Sequence, residues 1–234
     1  MKPILFITGG SAGIGKATAE LFVQENWQVI NLSRRECPVA GVRSFQADLS
    51  KPDFLTEFAG EMRGLLANAP KICLVHNAAL LNKDSLHTLE ESAFRNVLQI
   101  NLVAPQVLNR FVLPFMKPGS SIIYIGSTLA EKAVPGAFSY VASKHAQMGM
   151  MKATCQDLHG KGIHTVGICP GFTDTEMLNT HLNHDKEILT AIKAMNGFNR
   201  LVTPSEIAEM IRVAAHQPVL NGAVIHANLG QIER

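Results

Sequence analysis

The sequence predicts a doubly wound α/β fold, a parallel sheet of about seven strands with helices on both faces. Three observations support this prediction. Short apolar runs alternate with segments of helical period along the whole chain, and such alternation produces right-handed β-α-β units. A glycine-rich turn follows the first apolar run. The chain has 234 residues, of which 47% are hydrophobic and 17% charged, and this suits one globular domain over residues 1–234.

Seven short runs have the composition of buried strands, because they are apolar and rich in Val and Ile. The first run leads straight into the glycine turn, and the fifth ends at Ser127. Ligands bind beyond the carboxyl ends of the strands in sheets of this kind, so residues that follow strands are candidates for a site. The predicted strands are residues 4–8, 27–32, 42–47, 72–77, 121–127, 164–169 and 223–228.

Helical segments fill the intervals between the strands. Residues 92–116 and 139–159 predict two long helices. Thr203 and Glu206 flank a Pro-Ser pair, which predicts a helix that begins with a capping box. The least regular segment is 172–202, and we expect it to form a substrate lid over the carboxyl edge of the sheet.

Composition excludes several classes of protein. A net charge of +2 does not indicate a nucleic-acid or membrane partner, and no apolar run reaches the length of a membrane span. The apolar run at the N-terminus is too short for a signal peptide. The four cysteines form no C-x-x-C pair, which is typical of free thiols in the reducing cytoplasm. We therefore expect a cytoplasmic protein that acts on a small molecule.

The turn TGGSAGIG joins the first strand to a helix. Glycines there permit a tight turn and let a pyrophosphate approach backbone amides at the helix N-terminus. This predicts a dinucleotide site of the Rossmann type, although the spacing is G-x-x-x-G-x-G rather than the common G-x-G-x-x-G. A glycine-rich turn without a ligand is the alternative. The predicted cofactor contacts in this turn are Gly9, Ser11, Gly13, Ile14 and Gly15.

The end of the second strand predicts which dinucleotide binds. Sites for NAD usually place an acidic residue there, whereas arginine accommodates the 2′-phosphate of NADP. This chain has Ser33, Arg34 and Arg35, with no acid before Glu36. We therefore predict NADP(H) in preference to NAD(H), with Arg34 as the main phosphate ligand. The alternative is a pair of solvated loop arginines.

The segment YVASK places Tyr140 and Lys144 four residues apart in a predicted helix, so both lie on one helix face. They form either an ordinary amphipathic surface or a proton-transfer pair. Ser127 ends the fifth strand 13 residues before Tyr140. Asn101 lies in the preceding long helix between Ile100 and Leu102, where an amide needs a polar partner.

Taken in order along the chain, these motifs resemble the short-chain dehydrogenase/reductase family, in its short single-domain branch. The resemblance covers nearly the whole chain. It rests on the glycine turn, Asn101, Ser127, YVASK, PGFTDT (170–175), the pair Asp48-Leu49, HNAA (76–79) and NGAVIHANLG near the C-terminus.

The resemblance implies catalysis by Asn101, Ser127, Tyr140 and Lys144. Tyr140 would be the acid that protonates a carbonyl oxygen, or the base in the reverse direction. Lys144 would bind the nicotinamide ribose and lower the pKa of the phenol. Ser127 would hold the substrate oxygen, and Asn101 would hold a water that links Lys144 to bulk solvent. The reaction would interconvert a carbonyl and a secondary alcohol by hydride transfer.

The resemblance also implies further cofactor contacts around the dinucleotide. Asp48 and Leu49 would meet the adenine, and Thr175 would meet the carboxamide. Two departures from the family pattern stand out: Ala79 replaces a glycine, and His76 replaces an asparagine whose role is to stabilise the sheet. The remaining expected contacts are Asn77, Ala78 and Ala79 on the adenosine side and Pro170, Gly171 and Thr173 after strand six.

Other classes of function stay open at this point. A dinucleotide-sensing or structural protein without catalysis is one alternative, and a sugar-nucleotide epimerase is another that the short length and glycine spacing disfavour. His181 and His184 have metal-ligand spacing but no third ligand nearby, so we expect no metal. The resemblance implies a homodimer or homotetramer paired through helices 92–116 and 139–159.

Overall fold

The computed structural model describes residues 1–232 and confirms the predicted doubly wound sheet. Seven parallel strands lie in the order β3-β2-β1-β4-β5-β6-β7. Strands β1 to β3 are added toward one edge of the sheet and β4 to β7 toward the other, so the carboxyl ends of β1 and β4 border a crevice that suits a ligand. The strands are β1 (Ile4–Thr8), β2 (Gln28–Ser33), β3 (Val42–Gln46), β4 (Ile72–His76), β5 (Ser121–Ile125), β6 (His164–Pro170) and β7 (Val224–Ala227).

Helices cover both faces of this sheet. Among the described residues, no helix is long and apolar enough to cross a membrane. The α-helices are α1 (Gly13–Gln24), α2 (Ala59–Leu66), α3 (Glu91–Leu98), α4 (Ala104–Val112), α5 (Phe138–Asp157), α6 (Glu176–His181), α7 (Lys186–Lys193) and α8 (Pro204–His216). Short 3₁₀ turns lie at Leu113–Phe115, Thr128–Ala130 and Pro218–Leu220.

Alternate residues of each strand feed two separate cores, because successive side chains of a strand point to opposite faces. In β1, Phe6 packs with Leu74 and Tyr124 on the face covered by α4 and α5. Leu5 packs on the other face with Phe22 of α1 and Ile207 of α8. Burial on both faces explains why the strands are almost continuously apolar.

The predicted helix 92–116 is interrupted. It consists of α3, a π-helical turn at Gln99–Val103, and α4. Pro105 is the second residue of α4, and proline has no N–H to donate to the carbonyl four residues earlier, which belongs to Asn101. The sequence pattern therefore gave the extent of the helical segment but not the change of hydrogen bonding inside it.

The segment 172–202 is more regular than we expected. It contains α6 and α7, and Asp185 caps α7 by accepting bonds from the amides of Glu187 and Ile188. Thr173 and Val202 form an isolated parallel bridge at the base of the segment. The predicted capping box is confirmed, since Thr203 accepts from the Glu206 amide and Glu206 accepts from the Thr203 amide.

Candidate active site

The glycine turn after β1 is packed too closely against its neighbours to accommodate larger residues. Gly9 and Gly13 have positive φ angles of 70° and 51°, which disfavour residues with a Cβ. A Cβ on Gly15 would overlap the Gly9 carbonyl and lie 2.7 Å from the Asn77 amide nitrogen. The turn therefore exposes backbone amides at the N-terminus of α1, as a pyrophosphate requires. Ser11 and Ile14 are half-buried in the same turn.

Polar side chains of β1 and β4 hold this turn in place. The Asn77 amide donates to the carbonyls of Thr8, at 2.9 Å, and Gly9, at 3.2 Å. The Thr8 hydroxyl accepts from the backbone amides of Asn77 and Ala78. Predicted cofactor residues from two strands are thus joined at the switch point. Sequence reasoning missed Thr8, although its place at the end of β1 was a signal.

Asn31 is a second residue that sequence reasoning missed. It is fully buried in β2 and its Oδ1 accepts from the Gly10 amide at 2.8 Å. Its amide nitrogen donates to the hydroxyls of Ser33 and Ser44. A lone asparagine inside an apolar strand was the available signal, because a buried amide requires partners.

The end of β2 presents its two arginines differently. Arg35 makes a bidentate pair with Glu176 at the start of α6, with N···O distances of 2.8 and 3.3 Å. Within residues 1–232, no carboxylate pairs with Arg34, which is exposed. The Ser33 hydroxyl is buried and donates to the Arg35 carbonyl. Arg34 is therefore the cation left open to an anionic ligand at this edge.

Asp48 and Leu49 lie beyond β3 on the same side of the crevice. Asp48 is exposed, and bonding from Ser50 lowers the pKa of its carboxyl, with a smaller contribution from the charge of Arg34. Leu49 is buried, and its carbonyl accepts from Gln99 at 3.3 Å. The structure thus brings the predicted adenine residues to the edge that carries Arg34.

Residues after β6 also contact the glycine turn. A Cβ on Gly13 would lie 3.0 Å from the Thr175 methyl carbon, so the start of α6 touches the turn. Thr175 caps α6 by accepting from the Leu178 amide. The buried Thr173 hydroxyl donates to the Gly171 carbonyl at 3.0 Å, and Pro170 is buried at the end of β6.

Tyr140 and Lys144 lie one turn apart on α5, and both are almost completely buried. The Lys144 ammonium lies 5.4 Å from the centroid of the Tyr140 ring. It donates to the Ile125 carbonyl at 2.6 Å and to the Gln147 side-chain oxygen at 3.1 Å. This burial excludes an ordinary amphipathic surface and leaves a phenol and an amine side by side at the end of β5.

Burial dominates the protonation of this pair. We expected Lys144 to lower the pKa of Tyr140, but in this structure burial raises the pKa of Tyr140 to about 12, against an opposing effect of the Ser127 hydroxyl. Burial also lowers the pKa of Lys144 to about 8. The expected direction is not observed because burial is the largest influence on the phenol. The phenol is consequently protonated at neutral pH, which is the form that donates a proton.

Ser127 and Asn101 complete the group. Ser127 follows β5 and its hydroxyl accepts from the Leu129 amide at 3.1 Å, so it caps the 3₁₀ turn. Asn101 lies in the π-helical turn, fully buried, and its amide donates to the Leu80 carbonyl and to the Ser143 hydroxyl of YVASK. The structure therefore brings all four predicted catalytic residues to the carboxyl edge of the sheet.

Comparison with known proteins decides the family. The family model for short chain dehydrogenases matches residues 3–186. The chain belongs to the short-chain dehydrogenase family. The family is one of nucleotide-binding oxidoreductases, and the Rossmann-type fold of this chain is typical of it.

Individual relatives span almost the whole length of this short-chain dehydrogenase. Protein FixR of Bradyrhizobium diazoefficiens is 30% identical, over 97% of this chain and 86% of the relative. The 3-oxoacyl-[acyl-carrier-protein] reductase FabG of Vibrio harveyi is 27% identical, over 97% and 96%. The structure of 4-hydroxyisoleucine dehydrogenase complexed with NADH superposes with a TM-score of 0.86 at 25% identity, over 97% of this chain and 98% of that one.

The two departures from the family pattern lie next to the crevice. Ala79 is half-buried in the loop after β4. His76 is fully buried, and its Nε2 lies 2.7 Å from the Asn109 side-chain oxygen. Burial lowers the pKa of this imidazole to about 4. His76 therefore remains neutral and connects β4 to α4, as a residue that stabilises the sheet would.

Two exposed apolar side chains lie on the helices that also carry Tyr140 and Glu176. Phe138 and Met177 are 42% and 43% exposed, on α5 and α6. Phe138 packs edge-on against Phe94 of α3, with ring centroids 6.3 Å apart.

On α6, burial and the charge of Lys83 lower the pKa of His181. Within the described part of the chain, no three His, Cys, Asp or Glu side chains form a cluster that would hold a metal ion.

Proposed function

We propose that this protein is an NADP(H)-dependent oxidoreductase that interconverts a carbonyl and a secondary alcohol. The observation that carries the proposal is the meeting of Ser127, Tyr140 and Lys144 at the carboxyl end of β5. Proton transfer to a carbonyl that undergoes reduction requires a proton donor, a nearby positive charge and a group that holds the oxygen. The buried phenol, the buried ammonium and the hydroxyl at this sheet edge supply these three. A protein that only binds dinucleotide has no need for this set.

The crevice fits a nicotinamide dinucleotide. Gly9, Gly13 and Gly15 permit the tight turn at the N-terminus of α1, since a Cβ on any of them would press against neighbouring protein atoms, and the N-terminus of a helix suits a pyrophosphate. Asp48 and Leu49 border the adenine side, and Thr175 borders the nicotinamide side. When bound, the cofactor supplies the hydride. Arg34, which has no carboxylate partner among residues 1–232, would pair with the 2′-phosphate and favour NADP(H).

The residues of the chain then control the substrate and the proton. Ser127 would donate a hydrogen bond to the substrate oxygen and orient the carbonyl. As negative charge develops on that oxygen during reduction, Tyr140 transfers its phenolic proton to it, and the ammonium of Lys144 stabilises the phenolate that remains. In alcohol oxidation the same phenolate accepts the proton. The raised pKa of Tyr140, about 12, keeps the phenol protonated at neutral pH, which is the form that reduction requires.

The surroundings of the site indicate how the protein is organised. We infer one catalytic domain over the whole chain, with the segment 172–202 as a lid, because α6 touches both the glycine turn and Arg35. Phe138 and Met177 are exposed near Tyr140 and Thr175 in sequence, and we propose that they border the substrate and favour an apolar substituent. Four free cysteines support a cytoplasmic location. We further propose a homodimer or homotetramer through α4 and α5, which sedimentation at micromolar concentration would test.

A panel of carbonyl compounds and secondary alcohols tests the proposed function. Each compound is incubated with the enzyme and either NADPH or NADH, or with the oxidised forms for alcohols. We expect oxidation of NADPH by at least one class of carbonyl compound and a lower rate with NADH. NADPH binding without turnover on any member of the panel would instead support a protein that senses dinucleotide without catalysis.

A further inference from the structure

Gln147 is a buried polar residue that the proposed chemistry does not yet use. It lies on α5, three residues after Lys144, and only 1% of its surface is exposed. Burying an amide without partners is costly. Its partners therefore indicate why the position is polar, and both of them belong to the candidate site.

The Gln147 side chain bridges Lys144 and the π-helical turn. Its Oε1 accepts from the Lys144 ammonium at 3.1 Å. Its Nε2 donates to the backbone carbonyl of Asn101 at 3.4 Å. This amide therefore connects Lys144 to the backbone of Asn101 directly.

The geometry of the turn leaves the Asn101 carbonyl open to this bond. Pro105 lies four residues later and has no N–H to donate to that carbonyl. A carbonyl only accepts hydrogen bonds, so it requires the NH₂ end of Gln147 to face it. The amide oxygen must then face Lys144, which only donates. The π-helical turn consequently fixes the orientation of the amide.

We infer that Gln147 is a positioning residue for Lys144, holding its ammonium between the Ile125 carbonyl and the proposed ribose site. The inference rests on the proposed function, since it assigns Lys144 to the cofactor and to Tyr140. Two of the three ammonium donors are then engaged, by Ile125 and by Gln147. The third donor is left for the ligand, so the ammonium is oriented before the ligand binds.

This role has a consequence for protonation. An oxygen acceptor favours the charged form of an amine and raises its pKa, against the lowering that burial causes. Lys144 has a pKa of about 8, so small changes move its protonation through the working range. The titratable groups that face it are Tyr140 on the same helix and Cys169 on β6.

Two substitutions of similar volume test the role by moving the pH profile in opposite directions. Gln147→Met removes the acceptor and lets the ammonium move. Gln147→Glu places a carboxylate beside it. The measurements are kcat and KM for carbonyl reduction, and the dissociation constant of NADPH by fluorescence, each followed from pH 6 to 10, with thermal unfolding as a check on folding.

We expect Gln147→Met to lower kcat about tenfold or more, since misplacing a catalytic group by about 1 Å costs up to about 100-fold. The KM of the carbonyl compound should change little. The alkaline limb of NADPH binding, where Lys144 loses its proton, should move to lower pH in Gln147→Met and to higher pH in Gln147→Glu, by about half a unit or more.

Tyr124→Phe is the matched control. Tyr124 is fully buried beneath α5, and its hydroxyl bonds to Asn109 and Thr154 rather than to Lys144. We expect this variant to lose thermal stability and to keep the wild-type pH profile. The inference is overturned if the alkaline limb of the NADPH binding profile stays at the same pH in both Gln147 variants, or moves in the same direction in both.

The binding measurement separates this inference from the proposed function. If the wild-type protein binds NADPH but reduces no carbonyl compound, the proposed reaction fails. Shifts of the alkaline limb of NADPH binding in opposite directions in Gln147→Met and Gln147→Glu would still support the positioning of Lys144. If turnover is present and the shifts are absent, the reaction stands and the role of Gln147 is refuted.

Discussion

Replacing Arg34 by alanine tests how the protein selects its dinucleotide. Arg34 is exposed and pairs with no carboxylate among residues 1–232, whereas its neighbour Arg35 makes a bidentate pair with Glu176. The 2′-phosphate of NADPH distinguishes it from NADH and carries roughly two negative charges. Of the two arginines after β2, Arg34 is the one that could bind this phosphate without breaking an ion pair among the described residues.

The expected loss follows from the strength of one charge-assisted bond. Hydrogen bonds to charged groups contribute about 1.5–3 kcal/mol, and solvent exposure favours the lower end of that range. A loss of about 1.5–2 kcal/mol corresponds to a rise of about 10- to 30-fold in the dissociation constant of NADPH. The affinity for NADH should stay within about twofold, since it has no 2′-phosphate.

Glu176→Gln supplies the matched perturbation in the opposite direction. Arg35 and Glu176 are both 62% exposed in their side chains, and exposed pairs of this kind are weak. Releasing Arg35 should therefore tighten NADPH binding by up to about fivefold without affecting NADH. Fluorescence titration of both dinucleotides at two salt concentrations measures these effects. Equal losses of NADPH and NADH affinity in Arg34→Ala, or tighter NADH binding by the wild-type protein, would refute the reasoning.

Two further predictions concern the turn and the sheet. Gly15→Ala should abolish dinucleotide binding, because its Cβ would meet the Gly9 carbonyl and lie 2.7 Å from the Asn77 amide. An affinity close to wild type in the same titration would show that the close packing of this turn is not required for binding. His76 is buried and its folded-state pKa is lowered from 6.5 to about 4. The unfolded chain therefore binds the proton first, and the stability that this group contributes is present above pH 6.5 and is lost as the pH falls from 6.5 toward 4, by about 3 kcal/mol in total. Denaturant unfolding at several pH values should show this fall in the wild type and a smaller one in His76→Asn; identical slopes would show that His76 does not titrate in this window.

The fold was largely predictable from the sequence, because its signals are local. Every predicted strand agrees with the structure within two residues at each end. Both faces of the sheet are buried, so each strand appears as a continuous apolar run. The helix over residues 139–159 corresponds to α5 at Phe138–Asp157. Regular periods and turn residues were sufficient for these elements.

The side-chain pairings of the site were not predictable in the same way. Arg35 and Glu176 are 141 residues apart in sequence, and neither position has a local pattern that indicates the other. The bridge from Lys144 through Gln147 to Asn101 depends on a π-helical turn, which an apolar period cannot distinguish from α-helix. The rise in the pKa of Tyr140 depends on burial, whereas the sequence showed only the spacing of the phenol and the amine.

The central claim is that Tyr140 transfers the proton, and Tyr140→Phe tests it most directly. Phenylalanine keeps the buried ring beside Lys144 and removes only the hydroxyl. The measurement is single-turnover oxidation of bound NADPH by a carbonyl compound that the wild-type enzyme reduces, with NADPH affinity measured on the same sample. We predict NADPH binding within about threefold of wild type and a rate reduced by about 100-fold or more. A rate in Tyr140→Phe equal to that of the wild type would contradict the account.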